Sequence, residues 1–324
     1  MKAVQLSRFG APDVLDIIDI PAPVAGPGQA LIRVRAAGVN FFEVLMRADR
    51  YAVTPDLPMM LGVEVAGVVE ALGDGAALPI GARVAIPLFA AGRAGGYADY
   101  VAVEAASAVP LPEGLSFDDA CALMVQGLTA LHLVQRSRPE GKTVQVTAAA
   151  GGVGSLLVQL AKRAGARRVI AAASSPAKRD LALALGADAA IAPGGAGWAA
   201  ALGEATGKAG LDIVYDFVGG ALTSACLDEL APGGELVFGA LGRLDLDTAR
   251  LETVFARNQS LRGFALLPLL TPTNLRPDLE ELFTLAADGA LQVVKGGGYP
   301  LGAVAEAHRA MESRATTGKV VLVP

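Results

Sequence analysis

Short apolar runs rich in β-branched residues, each closed by glycine or proline, fill the first third of the chain. "QALIRVRAAGV" (29–39), "VEVAGVVEAL" (63–72), "ARVAIP" (82–87) and "GYADYVAV" (96–103) are of this kind, and "MKAVQL" opens the chain in the same way. The pattern predicts strands, with one short helix over "NFFEVLMRADRY" (40–51), in an irregular and mainly antiparallel β-domain. At Ser116 the texture changes. "SFDDACALMVQGLTALHLVQRS" puts a serine three residues before an aspartate, then spaces its apolar residues as a long helix does. From about Thr143 to Ala265 strand-like and helix-like segments alternate: "TVQVTA", "RRVIAAA", "DAAIA", "LDIVYDF", "GELVFGA" and "SLRGFAL" are the strands. Alternation at this pitch predicts βαβ units, hence a parallel, doubly wound sheet of Rossmann type with helices on both faces. Two further helices are expected over 278–288 and 303–314. A closing strand, "GKVVLVP", is placed to return to the N-terminal domain. The domains expected are 1–120 together with 266–324, and 121–265.

The segment "TVQVTAAAGGVGSLLVQLAKRAGA" reads as strand, turn and helix. Ala149 takes the first glycine position of a GxGxxG fingerprint, and Gly151 and Gly154 take the other two. Around Ala150, Gly151, Gly152, Val153 and Gly154 the backbone can approach a pyrophosphate, and the helix beginning near Gly152 presents its free N–H groups and positive end to it. The fingerprint alone is weak; its place at the head of an alternating series gives it weight. The bland alternative is a tight turn with no ligand.

An NAD site carries an Asp or Glu about 20 residues past the glycines, bonded to the ribose 2′-hydroxyl. Here the second strand ends at Ser174-Ser175, and no carboxylate lies between Gly154 and Asp180. Ser175 is a good N-cap and Pro176 suits the first helical position. Lys178 and Arg179 then fall in a first turn, where the helix dipole disfavours cations. A 2′-phosphate held by Ser174, Ser175 and Lys178 would account for them, so the cofactor expected is NADPH; otherwise they are two solvated cations.

Composition narrows the remaining classes. The chain has 324 residues, 53% apolar and 18% charged, with a net charge of −5 and no basic block. That leaves a nucleic-acid partner without electrostatic support. No stretch reaches the roughly 20 apolar residues of a membrane span, and the N-terminus has no apolar signal core, so a cytoplasmic protein is expected. The two cysteines, Cys121 and Cys226, are far apart, and the only histidines are His132 and His308. No zinc ligand set can be assembled from this stock. His132 follows an apolar helical stretch and reads as a packing residue; His308 reads as an exposed helical one.

The motifs "AAGVNFFEVLMRADRY", "LGVEVAGVVEALG", "GGYADYV", "QGLTALHLV", "AAAGGVG", "YDFVGG", "VFGALG" and "ESRATTGKVVLVP" span nearly the whole chain. Through them it resembles the zinc-free medium-chain dehydrogenases/reductases, in particular the quinone oxidoreductases related to zeta-crystallin. Zinc alcohol dehydrogenases of that superfamily carry Cys and His where this chain has Asn40 to Glu43, and a His where Val63 precedes Glu64. The resemblance implies a GroES-like β-domain beside the cofactor domain, and a homodimer built on the edge strand of the cofactor sheet. The nicotinamide and its ribose would lie near Asn40, Thr129, Phe217, Val218, Phe238 and Gly239. Lys319 would approach the cofactor, and Tyr51 matches a tyrosine at the substrate mouth. The activity implied is hydride transfer from NADPH to a quinone or activated alkene, with Asn40 or Tyr51 hydrogen-bonding the acceptor carbonyl. Asn40 has a second reading as a helix cap and Tyr51 as a loop aromatic. An enoyl-thioester or 2-alkenal reductase, or a low-turnover NADPH-binding protein, stands as the alternative.

Overall fold

A computed structural model describes all residues, 1–324. The chain enters through β1 (Lys2–Leu6) and β2 (Leu15–Asp19), an antiparallel pair that β4 (Met59–Met60) joins on the far side of β1. Between them in sequence lie β3 (Gln29–Val39) and α1 (Phe41–Arg47). In β3 the buried Ala30, Ile32 and Val34 alternate with residues turned outward, and the strand then buries both faces from Ala36 to Val39. This change marks β3 as the centre of its sheet. It pairs with β5 (Val65–Leu72) and β7 (Tyr100–Glu104), while β6 (Arg83–Ile86) and β8 (Val109–Pro110) extend the sheet beyond β5.

The long helix expected from Ser116 forms in three parts. Ser116 caps α2 (Phe117–Ala122), its hydroxyl accepting from the Asp119 amide at 3.1 Å. A π-helical turn, Leu123–Gly127, follows, and α3 (Leu128–Arg136) continues it. The π turn has no propensity signature in "LMVQG"; such turns arise from tertiary demands.

Six strands then alternate with helices: β9 (Thr143–Val146), α4 (Gly152–Arg163), β10 (Arg168–Ala172), α5 (Pro176–Ala184), β11 (Ala189–Ile191), α6 (Trp198–Thr206), β12 (Leu211–Asp216), α7 (Ala221–Asp228), β13 (Leu230–Phe238), α8 (Thr248–Ala256) and β14 (Ser260–Gly263). All neighbours are parallel, in the order β11-β10-β9-β12-β13-β14. This is the doubly wound Rossmann sheet, with its order reversing between β9 and β12. The chain finishes with α9 (Leu275–Ala287), β15 (Lys295–Pro300), α10 (Val304–Glu312) and β16 (Lys319–Val323). β16 lies antiparallel to β3 and parallel to β15, so the closing strand does return to the first sheet.

Two compact units result, Met1–Leu128 with Leu270–Pro324, and Thr129–Leu269. The divisions come later than residues 121 and 266 because α2 packs on β3 and β5 and carries the π turn into the first unit with it. The first core joins Val4, Ile32, Val65, Ile86, Val103, Val304 and Leu322; one in the second joins Ile170, Leu202, Val214, Leu227 and Leu236.

His308 is not exposed as its helical position suggested. Its apolar neighbours Val304 and Ala307 face inward, and His308 goes with them, fully buried and edge-on to Tyr97 at 6.2 Å. Neither ring nitrogen has a hydrogen-bond partner. Burial, with the Arg47 charge adding to it, pulls its pKa down to about 3. An unfolded chain therefore takes up a proton here below about pH 6.5 that the folded chain refuses. The stability this site contributes is complete above that pH and is lost as pH falls toward 3. Replacing it by leucine should remove up to about 1.4 kcal/mol of pH sensitivity per unit across that window. The check is urea denaturation of wild type and His308→Leu at several pH values from about 4.5 to about 7.5. Wild type should lose stability relative to the variant as pH falls, and a difference that does not change with pH refutes the assignment.

Candidate functional site

In the second unit the turn after β9 is built as the sequence requires. Ala148 adopts a left-handed conformation at φ 47°, which is uncommon for alanine. The Gly151 amide then bonds back to the Ala148 carbonyl at 2.8 Å, and the chain enters α4. A Cβ on Gly154 would stand 2.4 Å from the Ala148 carbonyl oxygen and 2.7 Å from the Ala149 Cα, so only glycine lets α4 start this close to its strand. The N-cap is Gly151, which has no side chain to offer the first-turn amides. Those of Gly152, Val153 and Gly154 also lack an acceptor within the helix. Gly151, Gly152 and Val153 are partly exposed, whereas Ala150 is buried. Unpartnered amides at the positive end of a helix suit an anion in shape and in charge.

The next strand is pinned beside it: the Ala149 amide donates to the Ala172 carbonyl of β10 at 3.1 Å. Ser174 is exposed just past the end of β10. Ser175 caps α5, accepting from the Lys178 amide at 3.3 Å, and Pro176 opens the helix. The Ser175 hydroxyl keeps its own proton for another acceptor. Lys178 is half-buried in the first turn, and the Arg179 guanidinium donates to the Ala173 carbonyl at 3.1 Å. No acidic residue follows β10 before Asp180. Phe217 and Val218 directly follow β12, and Phe238 and Gly239 lie at the end of β13. These residues lie at the carboxyl end of a parallel strand or in the first turn of the helix that follows it, the side on which such sheets bind ligands. Thr129 is buried on α3.

In the first unit the geometry is of another kind. Lys319, at the head of β16, is only 4% exposed. Its ammonium pairs with Glu64, donates to Asn40 Oδ1 at 3.0 Å and to Gln126 Oε1 at 2.9 Å. All three of its protons are taken. Glu64 also accepts from Asn40 Nδ2 at 3.0 Å and from the Val125 amide of the π turn at 2.8 Å. Gln126, on that turn, donates to Asn40 Oδ1 at 2.7 Å. Gly38 backs the ion pair, since a Cβ there would fall 2.4 Å from Glu64 Oε1.

Asn40 is thus bonded on every side. It is the N-cap position of α1, as one of its two readings had it, and Glu43 reaches back to its amide at 3.1 Å. The Asn40 side chain meets Glu43 of its own helix and also enters the charge cluster, its oxygen facing two donors and its nitrogen two carboxylates. Glu43 takes four donors: both Asn40 nitrogens, the Gly62 amide at 2.7 Å and the Tyr97 hydroxyl at 3.2 Å. Burial pushes its carboxyl up to about 7, against the pull of those donors and of Lys319. Tyr51 lies on the loop after α1, half-buried, with its ring tilted against Phe42 at 5.7 Å. Burial raises its phenol, which stays protonated.

The sequence does not single out Glu43, Gln126, Thr147 or Asp216. The first two become visible only once the π turn and β16 are brought to Asn40. No group of three or more His, Cys, Asp or Glu is arranged to hold a metal ion. No helix is long and apolar enough to cross a membrane.

Comparison with known proteins also finds two domains in the chain. Residues 26–113 match the alcohol dehydrogenase GroES-like domain, and residues 152–287 match the zinc-binding dehydrogenase family. The quinone oxidoreductase of Pseudomonas aeruginosa is 33% identical over 332 residues, covering 100% of this chain and 99% of that protein. Among solved structures, the Escherichia coli quinone oxidoreductase complexed with NADPH superposes with a TM-score of 0.90 at 29% identity, over 100% of both chains. The Thermus thermophilus quinone oxidoreductase, solved alone and with NADPH, gives 0.84 at 37% identity, again over 100% of both.

A buried ammonium with three acceptors cannot be removed without stranding Glu64. Lys319→Met should destabilise the chain by about 3–5 kcal/mol, and adding Glu64→Gln should recover a large part of that loss. Urea denaturation of the two single variants and the double variant measures the coupling; additive losses would contradict the pairing.

Proposed function

Since the chain belongs to the quinone oxidoreductase family of the medium-chain dehydrogenases/reductases, we propose that it transfers hydride from NADPH to a quinone or a comparably activated alkene, without zinc. The observation that carries this reading is the glycine-capped helix beside a strand end that offers hydroxyls and a lysine in place of an acid. The bound coenzyme would supply the hydride from its dihydronicotinamide ring. The amides of Gly152, Val153 and Gly154 hold the pyrophosphate, with Ala150 and Gly151 shaping the turn beside it. Ser174, Ser175 and Lys178 hold the 2′-phosphate. Thr129, Phe217, Val218, Phe238 and Gly239 are assigned to the nicotinamide half. The first unit contributes Asn40, Tyr51 and Lys319.

The roles within that last group divide by hydrogen bonding. The Asn40 amide and the Lys319 ammonium are saturated, so they set the shape and charge of their surroundings. The Tyr51 phenol, raised by burial and still protonated, is the donor assigned to the acceptor oxygen as it gains negative charge. A donor to oxygen suits a quinone, whose reduced oxygen becomes a phenolate. We place the enzyme in the cytoplasm, as a homodimer, acting on a small molecule.

Absorbance at 340 nm with NADPH and a panel of 1,4-benzoquinone, 9,10-phenanthrenequinone, 2-alkenals and crotonyl-CoA tests the reaction. Oxidation with the quinones is the expected result; activity with crotonyl-CoA alone would favour the thioester alternative, and none above blank would favour a binding protein. Lys178→Ala should raise the NADPH Kd roughly fivefold, about 1 kcal/mol for a half-exposed cation. It should leave NADH binding unchanged. Equal weakening of both coenzymes in a fluorescence titration would refute the 2′-phosphate contact.

A further inference from the structure

At the point where the parallel sheet reverses order, β9 and β12 are neighbours whose onward connections part company. The chain after β9 runs through α4 to β10, and the chain after β12 runs through α7 to β13. Just past the strand ends single backbone bonds continue the ladder, from the Thr147 amide to the Tyr215 carbonyl at 3.1 Å and from the Gly239 amide to the Asp216 carbonyl at 2.9 Å. The turns themselves are tied together by one side-chain pair. The Thr147 hydroxyl, on the β9 side, donates to Asp216 Oδ1 at 3.1 Å and accepts from the Phe217 amide at 2.9 Å. The same carboxylate oxygen accepts from the amides of Val218 at 2.8 Å and Gly219 at 3.2 Å, and Oδ2 accepts from the Thr223 hydroxyl at 2.6 Å. Both Thr147 and Asp216 are buried.

The clasp has a direction. Asp216 gathers the amides of the turn that follows it, and so fixes where Phe217 and Val218 stand. Phe217 in turn lies so close to Gly239 that a Cβ there would meet its ring at 2.4 Å, and it meets Phe264 edge-on at 6.4 Å. One hydroxyl and one carboxylate thus add, to the backbone bonds at the ends of β9, β12 and β13, the contacts that fix the turn after β12. Neither group faces outward to touch a ligand.

We propose that Thr147 and Asp216 are positioning residues that set the width of the crevice at the switch point and hold Phe217 and Val218 against the nicotinamide half of the coenzyme. This rests on the assignment of NADPH to that crevice. Binding of the coenzyme is spread over many contacts, whereas hydride transfer depends on the placing of one ring. Loosening the clasp therefore lowers the rate of the chemical step more than it weakens binding.

The experiment uses the full chain and Thr147→Val, which removes the hydroxyl and keeps the shape, with Thr147→Ser restoring the hydroxyl. Coenzyme Kd comes from NADPH fluorescence, and kcat from oxidation of NADPH by the best quinone of the panel. For Thr147→Val the expected result is a fall in kcat of about tenfold or more with a change in Kd under about threefold. Thr147→Ser should recover most of the rate. Thr147→Ala takes the place of the valine variant if that chain does not fold. Unchanged kcat in the valine variant overturns the proposal, as does a serine variant as slow as the valine one. A parallel loss in Kd and kcat overturns it too, since that marks a merely structural role. A wild-type chain that binds no NADPH overturns both the coenzyme reading and this one; a wild type that turns over normally beside an equally fast Thr147→Val overturns this one alone.

Discussion

A single ammonium group organises the first unit. Lys319 is carried by β16, Glu64 directly precedes β5, Asn40 leads into α1, and Gln126 stands on the π turn between α2 and α3. These segments are distant in sequence; sheet pairing and the apolar core bring them together, and the lysine, which must have acceptors where water is excluded, finds them there. The surrounding oddities follow from that requirement. Gly38 clears space for the pair, and the π turn aims the Val125 amide and the Gln126 side chain at it. Asn40 is oriented without ambiguity, because its oxygen is set among donors and its nitrogen between two carboxylates. A buried charge of this kind adds little net stability; it excludes other arrangements of the same segments.

The second unit relies on backbone dipoles instead. Its cradle is made of amides left over at the start of α4, and its selectivity for an extra phosphate, in the reading proposed, comes from the lack of an acid after β10 and the presence of Lys178. The two sites thus treat charge by the same rule at different depths. Around the buried Lys319 each donor is matched by an acceptor, and where the glycine turn opens to the surface donors are left for a ligand.

Much of this could be read from the sequence, and the reasons are particular. β3, β9, β10 and β12 were legible because their burial is a one-dimensional pattern. The turn at Gly151 to Gly154 was legible because close approach leaves no choice but glycine. Ser116 and Ser175 were legible as caps because capping is a local bond. What escaped was non-local. The π turn follows from a glutamate on another element, not from its own residues. The pairing of Lys319 with Glu64 escaped, since nothing within β16 discloses it; His308 read as exposed because its charge type outweighed its place beside Val304 and Ala307 on the inward face. Thr147 and Asp216 look ordinary in sequence, and only the reversal of strand order brings them together.

The discontinuity of the first unit has a bearing on how the polypeptide acquires its form as it leaves the ribosome. Residues 129–269 are contiguous, and their sheet can assemble as soon as they emerge. The other sheet must wait, because β16 is an inner strand wedged between β15 and β3, and its partner in β3 is made about 280 residues earlier. Until then β3 exposes an unpaired, strongly apolar edge from Ala36 to Val39, along with Glu64 lacking its counter-charge. The late arrival of one strand acts as a seal on a half-finished domain.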